Sequence, residues 1–340
     1  MTYVTLGKTG ITVPKNGFGA LPIQRISTEE AVALVRKAYN GGVRFFDTAR
    51  KYSDSEEKLG LAFAGMREKV YIATKIPQLT GEAFKKDLEV SLEKLRTDYV
   101  DLCQFHNTPF CPKPGDGSGL YEAMLEAKAA GKVRHIGITN HRLHVAQEAI
   151  DSGLYETLQY PFSYLSSDKE LDLVRRCREK DIGFIAMKGL AGGTINNSAA
   201  AYAYMLQFDH VLPIWGIQRD WELEEFLSYQ EAPPALDEAL QATIAKDRKE
   251  LAGNFCRSCG YCMPCPQGIV INQCARMSVM VRRAPTEAWT TPYWQEKMEQ
   301  ITQCVRCNQC AAKCPYGLDI PNLLVENLTD YREILAGKPV

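Results

Sequence analysis

Eight of the chain's 12 cysteines lie in two short runs near the C-terminus. The second run has the spacing C-x2-C-x2-C-x3-C-P, and the first run is one residue shorter at its last step. Thiolates two residues apart can ligate neighbouring irons of one cubane, and a fourth, proline-followed cysteine commonly ligates the other cluster. The pattern therefore predicts two [4Fe–4S] clusters and one-electron redox chemistry. The ligands in this prediction are Cys256, Cys259, Cys262, Cys265, Cys304, Cys307, Cys310 and Cys314.

The distribution of these thiols between clusters follows if the fourth cysteine of each run crosses over. The two predicted ligand sets are then Cys256, Cys259 and Cys262 with Cys314, and Cys265 with Cys304, Cys307 and Cys310. The shortened step before Cys265 leaves its placement open. Structural zinc is the alternative, although zinc ligands usually come as two separated C-x2-C pairs. Disulfides are disfavoured, because the residues after Met1 lack the apolar segment of a signal peptide.

Composition restricts the class of protein. With 340 residues, 45% of them hydrophobic, the chain has room for one large domain and a small one. A formal net charge of -1 offers no basic surface for nucleic acid. Because no apolar stretch reaches the length that a bilayer requires, we expect no membrane insertion. We expect a protein of the reducing cytoplasm.

Short apolar runs alternate with amphipathic helical patterns as far as residue 230. The eight predicted strands are 16–21, 43–48, 70–76, 100–106, 133–139, 157–162, 183–187 and 211–217. The clearest helix patterns are 28–40, 81–96, 121–130, 142–151 and 169–179. Ser27 and Glu30 form a capping box before the first helix. Eight strand–helix repeats favour a closed parallel barrel with an outer ring of helices.

The predicted architecture is a (β/α)8 TIM barrel over residues 1–230, followed by a linker and helix over residues 231–252. A small α-rich ferredoxin-like domain, residues 253–340, carries the two clusters. An open doubly wound α/β sheet is the alternative, but no Gly-x-Gly-x-x-Gly turn follows any predicted strand.

Four polar residues lie at or just beyond the carboxyl ends of successive predicted strands. Asp47, Lys75 and His106 end three strands, and Tyr52 follows five residues after Asp47. A tyrosine phenol has an unperturbed pKa near 10. A neighbouring ammonium group favours the phenolate and lowers that pKa, and a carboxylate keeps the ammonium charged. We therefore expect Lys75 and Asp47 to tune Tyr52.

This pattern resembles the aldo-keto reductase family over the whole barrel, and the cysteine runs resemble those of its iron–sulfur branch. The resemblance implies an oxidoreductase that acts on a small carbonyl or alcohol substrate. Tyr52 is then the general acid that protonates the carbonyl oxygen as hydride reaches carbon. His106 orients the carbonyl or shares the proton transfer.

The resemblance implies a nicotinamide site, with departures. Asn140 and Gln159 occupy positions of the family's contacts to the carboxamide, and Met187 stands where the family has a ring-stacking aromatic residue. The family's 2′-phosphate residues are replaced in the segment from Gly216 to Glu222, where Arg219 is the one basic residue. Glu222 would repel the 2′-phosphate of NADPH. The cofactor can therefore be NADH, NADPH or no nucleotide at all.

Three functions compete, because nicotinamide transfers a hydride and cubane clusters transfer single electrons. The first is a carbonyl reductase or alcohol dehydrogenase whose clusters serve a ferredoxin-like or flavoprotein redox partner or are structural. The second is a ferredoxin-fed reductase that uses no pyridine nucleotide. The third is an electron-transfer subunit with a non-catalytic barrel. The intact set of four polar residues speaks against the third function.

Overall fold

The computed structural model describes residues 1–251, 255–283 and 285–339. The chain forms two compact units. The barrel unit comprises Met1–Gly189 and Ala199–Gln241, and the cysteine-rich unit comprises Leu190–Ser198 and Ala242–Val340. Residues 252 and 253, between which the sequence analysis places the start of the ferredoxin-like domain, lie outside the described residues, as does residue 340 at its end.

Eight parallel strands close into a barrel in chain order, and the last strand pairs with the first. A short antiparallel hairpin, β1 (Tyr3–Thr5) and β2 (Thr12–Pro14), precedes them. The barrel strands are β3 (Gly17–Gly19), β4 (Phe45–Asp47), β5 (Tyr71–Ile76), β6 (Val100–His106), β7 (Val133–Thr139), β8 (Thr157–Pro161), β9 (Gly183–Met187) and β10 (Val211–Gly216). The predicted (β/α)8 TIM barrel is confirmed.

A helix follows every barrel strand, which gives the outer ring. These helices are α1 (Thr28–Asn40), α2 (Ser55–Ala62), α3 (Gly81–Leu95), α4 (Leu120–Ala129), α5 (Leu143–Ser152), α6 (Asp168–Glu179), α7 (Ser198–Leu206) and α8 (Asp220–Glu231). The capping box of α1 forms as expected, since Ser27 and Glu30 exchange backbone-to-side-chain hydrogen bonds of 2.9 and 3.2 Å.

Three barrel helices, α2, α7 and α8, have no counterpart among the predicted helix patterns. In α2 the charged residues Glu56 and Lys58 are buried beside Leu59. In α7 nearly every side chain is buried, so the segment is apolar on all sides. Neither sequence therefore shows the one-sided apolar periodicity by which a helix is recognised.

The N-terminal hairpin covers the amino ends of the barrel strands. Val4 and Val13 are buried against Phe45, Leu102 and Leu212, which lie at or near the beginnings of their strands. This apolar floor leaves the carboxyl ends of the strands as the open end of the barrel. Active sites of this fold lie at that end.

The cysteine-rich unit is built from short helices. They are α9 (Glu238–Glu250), whose first residues belong to the barrel unit, α10 (Ile271–Cys274), α11 (Met277–Arg283), α12 (Thr286–Trp289), α13 (Pro292–Glu299), α14 (Gln309–Lys313) and α15 (Ile320–Leu335). The longest, α15, buries Leu324, Leu328 and Tyr331 in a core that includes Cys274. Among the described residues, no helix is both long enough and apolar enough to cross a membrane.

Candidate functional site

Three of the four predicted catalytic residues lie at the carboxyl ends of neighbouring strands. Asp47 ends β4, His106 ends β6, and Lys75 is the penultimate residue of β5. Tyr52 lies in the loop between β4 and α2. Because adjacent parallel strands of a closed barrel end at the same rim, the sequence spacing places all four side chains at one end of the barrel.

The four side chains converge. The Lys75 ammonium lies 2.6 Å from Asp47 Oδ2, donates to the Thr48 carbonyl at 2.6 Å, and sits 5.1 Å from the centroid of the Tyr52 ring. The rings of Tyr52 and His106 meet edge to face, with centroids 6.0 Å apart and planes at 88°. This arrangement places a phenol and an imidazole side by side at the mouth of the barrel.

The loop that carries Tyr52 is held by its own backbone. The Arg50 N–H donates to the Lys75 carbonyl at 3.0 Å, which ties the loop to β5. The Tyr52 N–H donates to Ala49 at 2.9 Å, and its carbonyl accepts from Ser55 at 2.7 Å. Two tight turns around Tyr52 therefore fix the backbone that carries its side chain.

Sequence analysis missed a second buried carboxylate beside this site. Glu56 is 1% exposed, accepts a 2.6 Å hydrogen bond from the Thr74 hydroxyl and forms an ion pair with Arg50. In the sequence, the run Ser55-Glu56-Glu57-Lys58 looks like a solvated helix face. The only sequence feature that could have drawn attention to Glu56 was its position next to Ser55, at the start of α2.

Burial controls the protonation of Tyr52, and here the sequence expectation is wrong in direction. Burial raises the pKa of the Tyr52 phenol above its ordinary value, and the Asp47 carboxylate raises it further. The expected lowering by Lys75 is outweighed by burial and by Asp47, since the Lys75 ammonium is paired with Asp47 and faces the Tyr52 ring. Tyr52 is consequently a protonated phenol at neutral pH, the form that can donate a proton.

The Lys75–Asp47 pair is buried, and burial acts against both charges. It lowers the pKa of Lys75 and raises the pKa of Asp47, and the attraction between the two groups opposes both shifts. Glu56 adds a second negative charge that favours the Lys75 ammonium. A paired ammonium of this kind supplies a fixed dipole beside the phenol.

His106 is a neutral imidazole. Burial lowers its pKa well below the ordinary value, and the positive charges of Lys75 and Lys51 lower it further. Its Nδ1 atom is buried and has no hydrogen-bond partner among the described residues. A neutral ring of this kind can direct one N–H toward a bound oxygen without carrying a charge.

The two amides predicted to bind a carboxamide are already engaged. Asn140 donates to the Thr108 carbonyl at 2.8 Å and accepts from the Arg142 N–H at 2.9 Å. Gln159 accepts from Gln104 at 2.7 Å and donates to Asp47 Oδ2 at 3.4 Å. Both side chains are therefore already hydrogen-bonded within the protein, and Gln159 contacts the Lys75–Asp47 pair directly through Asp47.

The predicted nucleotide residues of the last barrel loops lie apart from this network. Met187 ends β9 half-buried, with its sulfur 4.0 Å from the Thr139 hydroxyl. Gly216 ends β10, exposed, and a Cβ atom there would lie 3.1 Å from Pro22. Arg219 is exposed and lies 3.4 Å from Glu222.

Glu222 occupies the anion position at the start of α8. Its Oε2 atom accepts the backbone N–H groups of Gln218 and Arg219, both at 2.9 Å. Exposed N–H groups at a helix start are the usual binding site for a phosphate. Here the carboxylate of Glu222 places a negative charge beside the two N–H groups that precede α8, which disfavours a 2′-phosphate there.

The cysteine-rich unit groups its thiols in two places. One open cavity is bounded by Cys265, Cys304, Cys307 and Cys310, and it also touches Cys262. In the other place, burial raises the pKa values of Cys256 and Cys262, and the nearby thiols of Cys259 and Cys314 raise them further. Cys265 thus lies beside the second run, as in the crossed pattern, while Cys262 lines the same cavity.

The donor chemistry of each group fits an iron–sulfur cluster. Four cysteine thiolates are the usual ligands of a [4Fe–4S] cubane, in which each thiolate binds a different iron. A zinc ion needs its four ligands within about 2.0 to 2.3 Å of one point. Within the described residues, no three His, Cys, Asp or Glu side chains converge closely enough to hold a single metal ion.

Comparison with known proteins identifies both parts of the chain. Residues 15–241 match the model of the aldo/keto reductase family, and residues 255–319 match a 4Fe-4S dicluster domain. L-galactose dehydrogenase of Arabidopsis thaliana is 32% identical over 209 residues, which cover 56% of this chain and 66% of that protein. Methylglyoxal reductase DkgB of Salmonella typhi is 38% identical over 148 residues, which cover 41% of this chain and 52% of that protein.

Solved structures share the barrel. An aldo-keto reductase from Klebsiella pneumoniae, crystallised with NADPH, superimposes with a TM-score of 0.62 at 22% identity, covering 72% of this chain and 94% of that one. The chain thus spans 52 to 66% of the length of the two curated relatives and nearly all of this structural neighbour. Because the family model covers well over half of the residues, this chain belongs to the aldo/keto reductase family, and it carries a 4Fe-4S dicluster domain after the barrel.

Proposed function

We propose that this protein is an oxidoreductase that interconverts a small carbonyl compound and its alcohol, with Tyr52 as the general acid. The convergence of Tyr52, Lys75, Asp47 and His106 at the open end of the barrel carries the proposal. The names of the two curated relatives, a sugar dehydrogenase and a methylglyoxal reductase, support the same substrate class.

The proton chemistry follows from the protonation states of the site. Reduction of a carbonyl to an alcohol needs two electrons and two protons, one proton on oxygen and one on carbon. A hydride brings both electrons together with the hydrogen on carbon. Tyr52 holds the proton for oxygen, because its raised pKa keeps the phenol protonated at neutral pH. The Lys75 ammonium, held by Asp47, stabilises the negative charge that develops on the phenol oxygen as the proton leaves. Neutral His106 donates an N–H to orient the substrate oxygen.

We propose two [4Fe–4S] clusters in the cysteine-rich unit, which supply electrons one at a time. Cluster I is held by Cys256, Cys259, Cys262 and Cys314, and cluster II by Cys265, Cys304, Cys307 and Cys310. Cys307 is exposed, whereas Cys256 and Cys262 are buried. Cluster II is consequently the better placed for exchange with a ferredoxin-like or flavoprotein partner.

A second candidate function differs only in the source of electrons. In it, a one-electron carrier supplies both electrons singly, solvent supplies the proton that reaches carbon, and no pyridine nucleotide binds. The carboxylate of Glu222 at the start of α8 and the paired amides of Asn140 and Gln159 favour this candidate. A bound nicotinamide would supply hydride in the first candidate, and Asn140 and Gln159 would have to exchange partners to hold it.

Anaerobic assays test the proposal and separate the two candidates. The purified protein is given methylglyoxal and a panel of small aldehydes and ketones, with NADH, NADPH or a reduced ferredoxin as donor. We expect alcohol formation with at least one donor. Protein with about eight irons, the content of two [4Fe–4S] clusters, that reduces nothing with any donor would contradict the proposal.

Nucleotide binding decides between the electron sources. If neither NADH nor NADPH binds by isothermal titration calorimetry and ferredoxin alone supports turnover, the second candidate holds. Binding of NADH with turnover establishes the first. Glu222→Gln supplies a matched variant, because it removes the charge from the start of α8 and keeps the hydrogen-bonding oxygen. This variant should bind NADPH with increased affinity, and NADH with a smaller increase, if the 2′-phosphate approaches this helix.

A further inference from the structure

Arg276 is a buried arginine whose hydrogen bonds are incomplete. It is 6% exposed, and its Nη1 donates to the Gly192 carbonyl at 2.6 Å while its Nη2 donates to Gln273 Oε1 at 3.2 Å. Its Nε atom is buried and has no partner among the described residues. Because a buried N–H without a partner is costly, an unpaired guanidinium nitrogen points to a ligand that completes it.

The guanidinium lies beside the first cysteine run. A Cβ atom added to Gly192 would lie 3.5 Å from Arg276 Nη1, 3.2 Å from the Arg257 carbonyl oxygen and 3.7 Å from Ser258 Cβ. Arg257 and Ser258 are the two residues between the first two ligands of cluster I. Gly192, the guanidinium and the ligand loop are thus packed together.

No such buried cation accompanies the second run in the described residues. Arg306 and Lys313 are its basic residues, and both are exposed to solvent. Arg306 is directed to the side chain of Asn322, at 3.0 Å. Solvent and salt screen exposed charges strongly, whereas a buried charge acts at nearly full strength. The two thiol groups therefore differ in their electrostatic surroundings.

We propose that Arg276 is a tuning residue that raises the reduction potential of cluster I above that of cluster II, through its charge and its unpaired Nε–H. The inference rests on the two-cluster assignment proposed above. Reduction adds one electron to the cluster, and a nearby positive charge and hydrogen bonds to sulfur stabilise the added negative charge. An electron that enters at cluster II then comes to rest on cluster I.

An EPR-monitored redox titration, with dithionite as reductant and mediators, measures both potentials. In Arg276→Gln we expect the equilibrium constant for reduction of cluster I to fall at least tenfold, which lowers its reduction potential by about 59 mV for one electron. We expect the potential of cluster II to stay unchanged. Cys307→Ser assigns the signals, because it perturbs cluster II alone.

Two arginines of α11, the helix that begins one residue after Arg276, supply controls. Arg283→Gln removes another contact to the Leu190–Ser198 segment, the 2.7 Å bond from its Nε to the Thr194 carbonyl, and no contact near the ligand thiols. Arg282→Gln removes a charge that pairs with Asp330. We expect both variants to leave the potential of cluster I unchanged. A shift in Arg283→Gln as large as in Arg276→Gln would assign the effect to packing and overturn the proposal.

Iron content separates the possible failures. About four irons per chain in the wild-type protein would overturn the two-cluster assignment itself, since two clusters contain about eight. Eight irons with equal potentials, or with no shift in Arg276→Gln, would overturn the role of Arg276 alone. If Arg276→Gln loses iron, Arg276→Lys takes its place, because it keeps the charge and lacks the Nε–H. A smaller shift of the same sign supports the proposal, and an unchanged potential overturns it.

Discussion

The barrel unit and the cysteine-rich unit position their functional groups by different means. In the barrel, a closed ladder of eight strands carries Asp47, Lys75 and His106 to one rim. In the cysteine-rich unit, several helices have only four or five residues, and thiols of Cys256 and Cys262 form part of the core. Helices so short do not form on their own. The polar groups of the barrel are thus positioned by polypeptide alone, whereas the second unit matches a 4Fe-4S dicluster domain, whose thiols bound metal would organise.

The comparison also concerns charge. The barrel buries an ion pair, Lys75 with Asp47, and a second carboxylate, Glu56. The cysteine-rich unit buries thiols whose pKa values are raised by burial, together with one arginine beside them. Metal binding deprotonates thiols, so the negative charges of these cysteines arise only when metal is bound. The charges of the barrel rim are carried by side chains, whereas those of the thiols depend on bound metal.

The largest expected effect is on proton donation in the barrel. Tyr52→Phe keeps the ring over Lys75 and removes the hydroxyl, so we expect carbonyl reduction to fall by roughly 100- to 10,000-fold, the usual contribution of a general acid. Steady-state kinetics with the donor that supports the wild-type enzyme measures this. Iron content and thermal midpoint should not change. Turnover at the wild-type rate would remove Tyr52 from the mechanism.

The buried ion pair comes next. Asp47→Asn leaves the Lys75 ammonium buried without its partner, which should destabilise the barrel by about 3–5 kcal/mol. Urea unfolding, followed by circular dichroism, measures this loss. Lys37→Gln supplies the control, because that lysine forms exposed ion pairs with Asp220 and Glu224 and should leave the midpoint unchanged. Equal unfolding midpoints for the two variants would show that the buried Lys75–Asp47 pair contributes little to the stability of the barrel.

Removing one cysteine ligand tests whether only the cysteine-rich unit depends on bound metal. Cys307→Ser should reduce the iron content from about eight to about four per chain and lower the stability of the cysteine-rich unit, because its core is built around bound metal. The barrel transition in differential scanning calorimetry should stay in place. Cys274→Ser is the control, since this buried thiol lies outside both proposed sets and should leave iron unchanged. Iron loss in Cys274→Ser but not in Cys307→Ser would reverse the assignment.

The smallest expected effect is on pH dependence. An ordinary imidazole titrates between pH 5 and 8. Burial lowers the pKa of His106 well below that range, so the ring is already neutral and a fall in pH through the range does not protonate it. The rate should therefore show no imidazole step between about pH 6 and 8. His106→Gln, which cannot titrate, should give a slower reaction with the same flat profile. A step near pH 6.5 in the wild-type enzyme alone would place a charged His106 in the mechanism.

Much of the fold was predictable because most of its strands and helices have a recognisable local pattern of apolar residues. All eight barrel strands were predicted from apolar runs, and five helices agree with the structure to within one or two residues. The N-terminal hairpin was not predicted, because its strands have three residues each and acquire their role only against Phe45 and Leu212. Helix α7 was missed because burial on every side erases the periodicity that marks an amphipathic helix.

The candidate site was predictable in its members but not in its electrostatics. Spacing brings Asp47, Tyr52, Lys75 and His106 to one rim, since the ends of parallel strands meet there. The direction of the pKa shift at Tyr52 could not be predicted, because burial and the orientation of the Lys75 ammonium decide it. Glu56 was missed because a charged residue at a helix start is usually solvated.

The sequence by itself determined the barrel, the type and spacing of the eight thiols, and the identity of the four polar residues, because each depends on the order of residues along one segment. Only the tertiary structure placed Gln159 on the Lys75–Asp47 pair and set Arg276 beside the loop between Cys256 and Cys259. The physical reason is distance. Charge and hydrogen bonding act between neighbours in space, and these neighbours are fixed by folding and not by position in the chain.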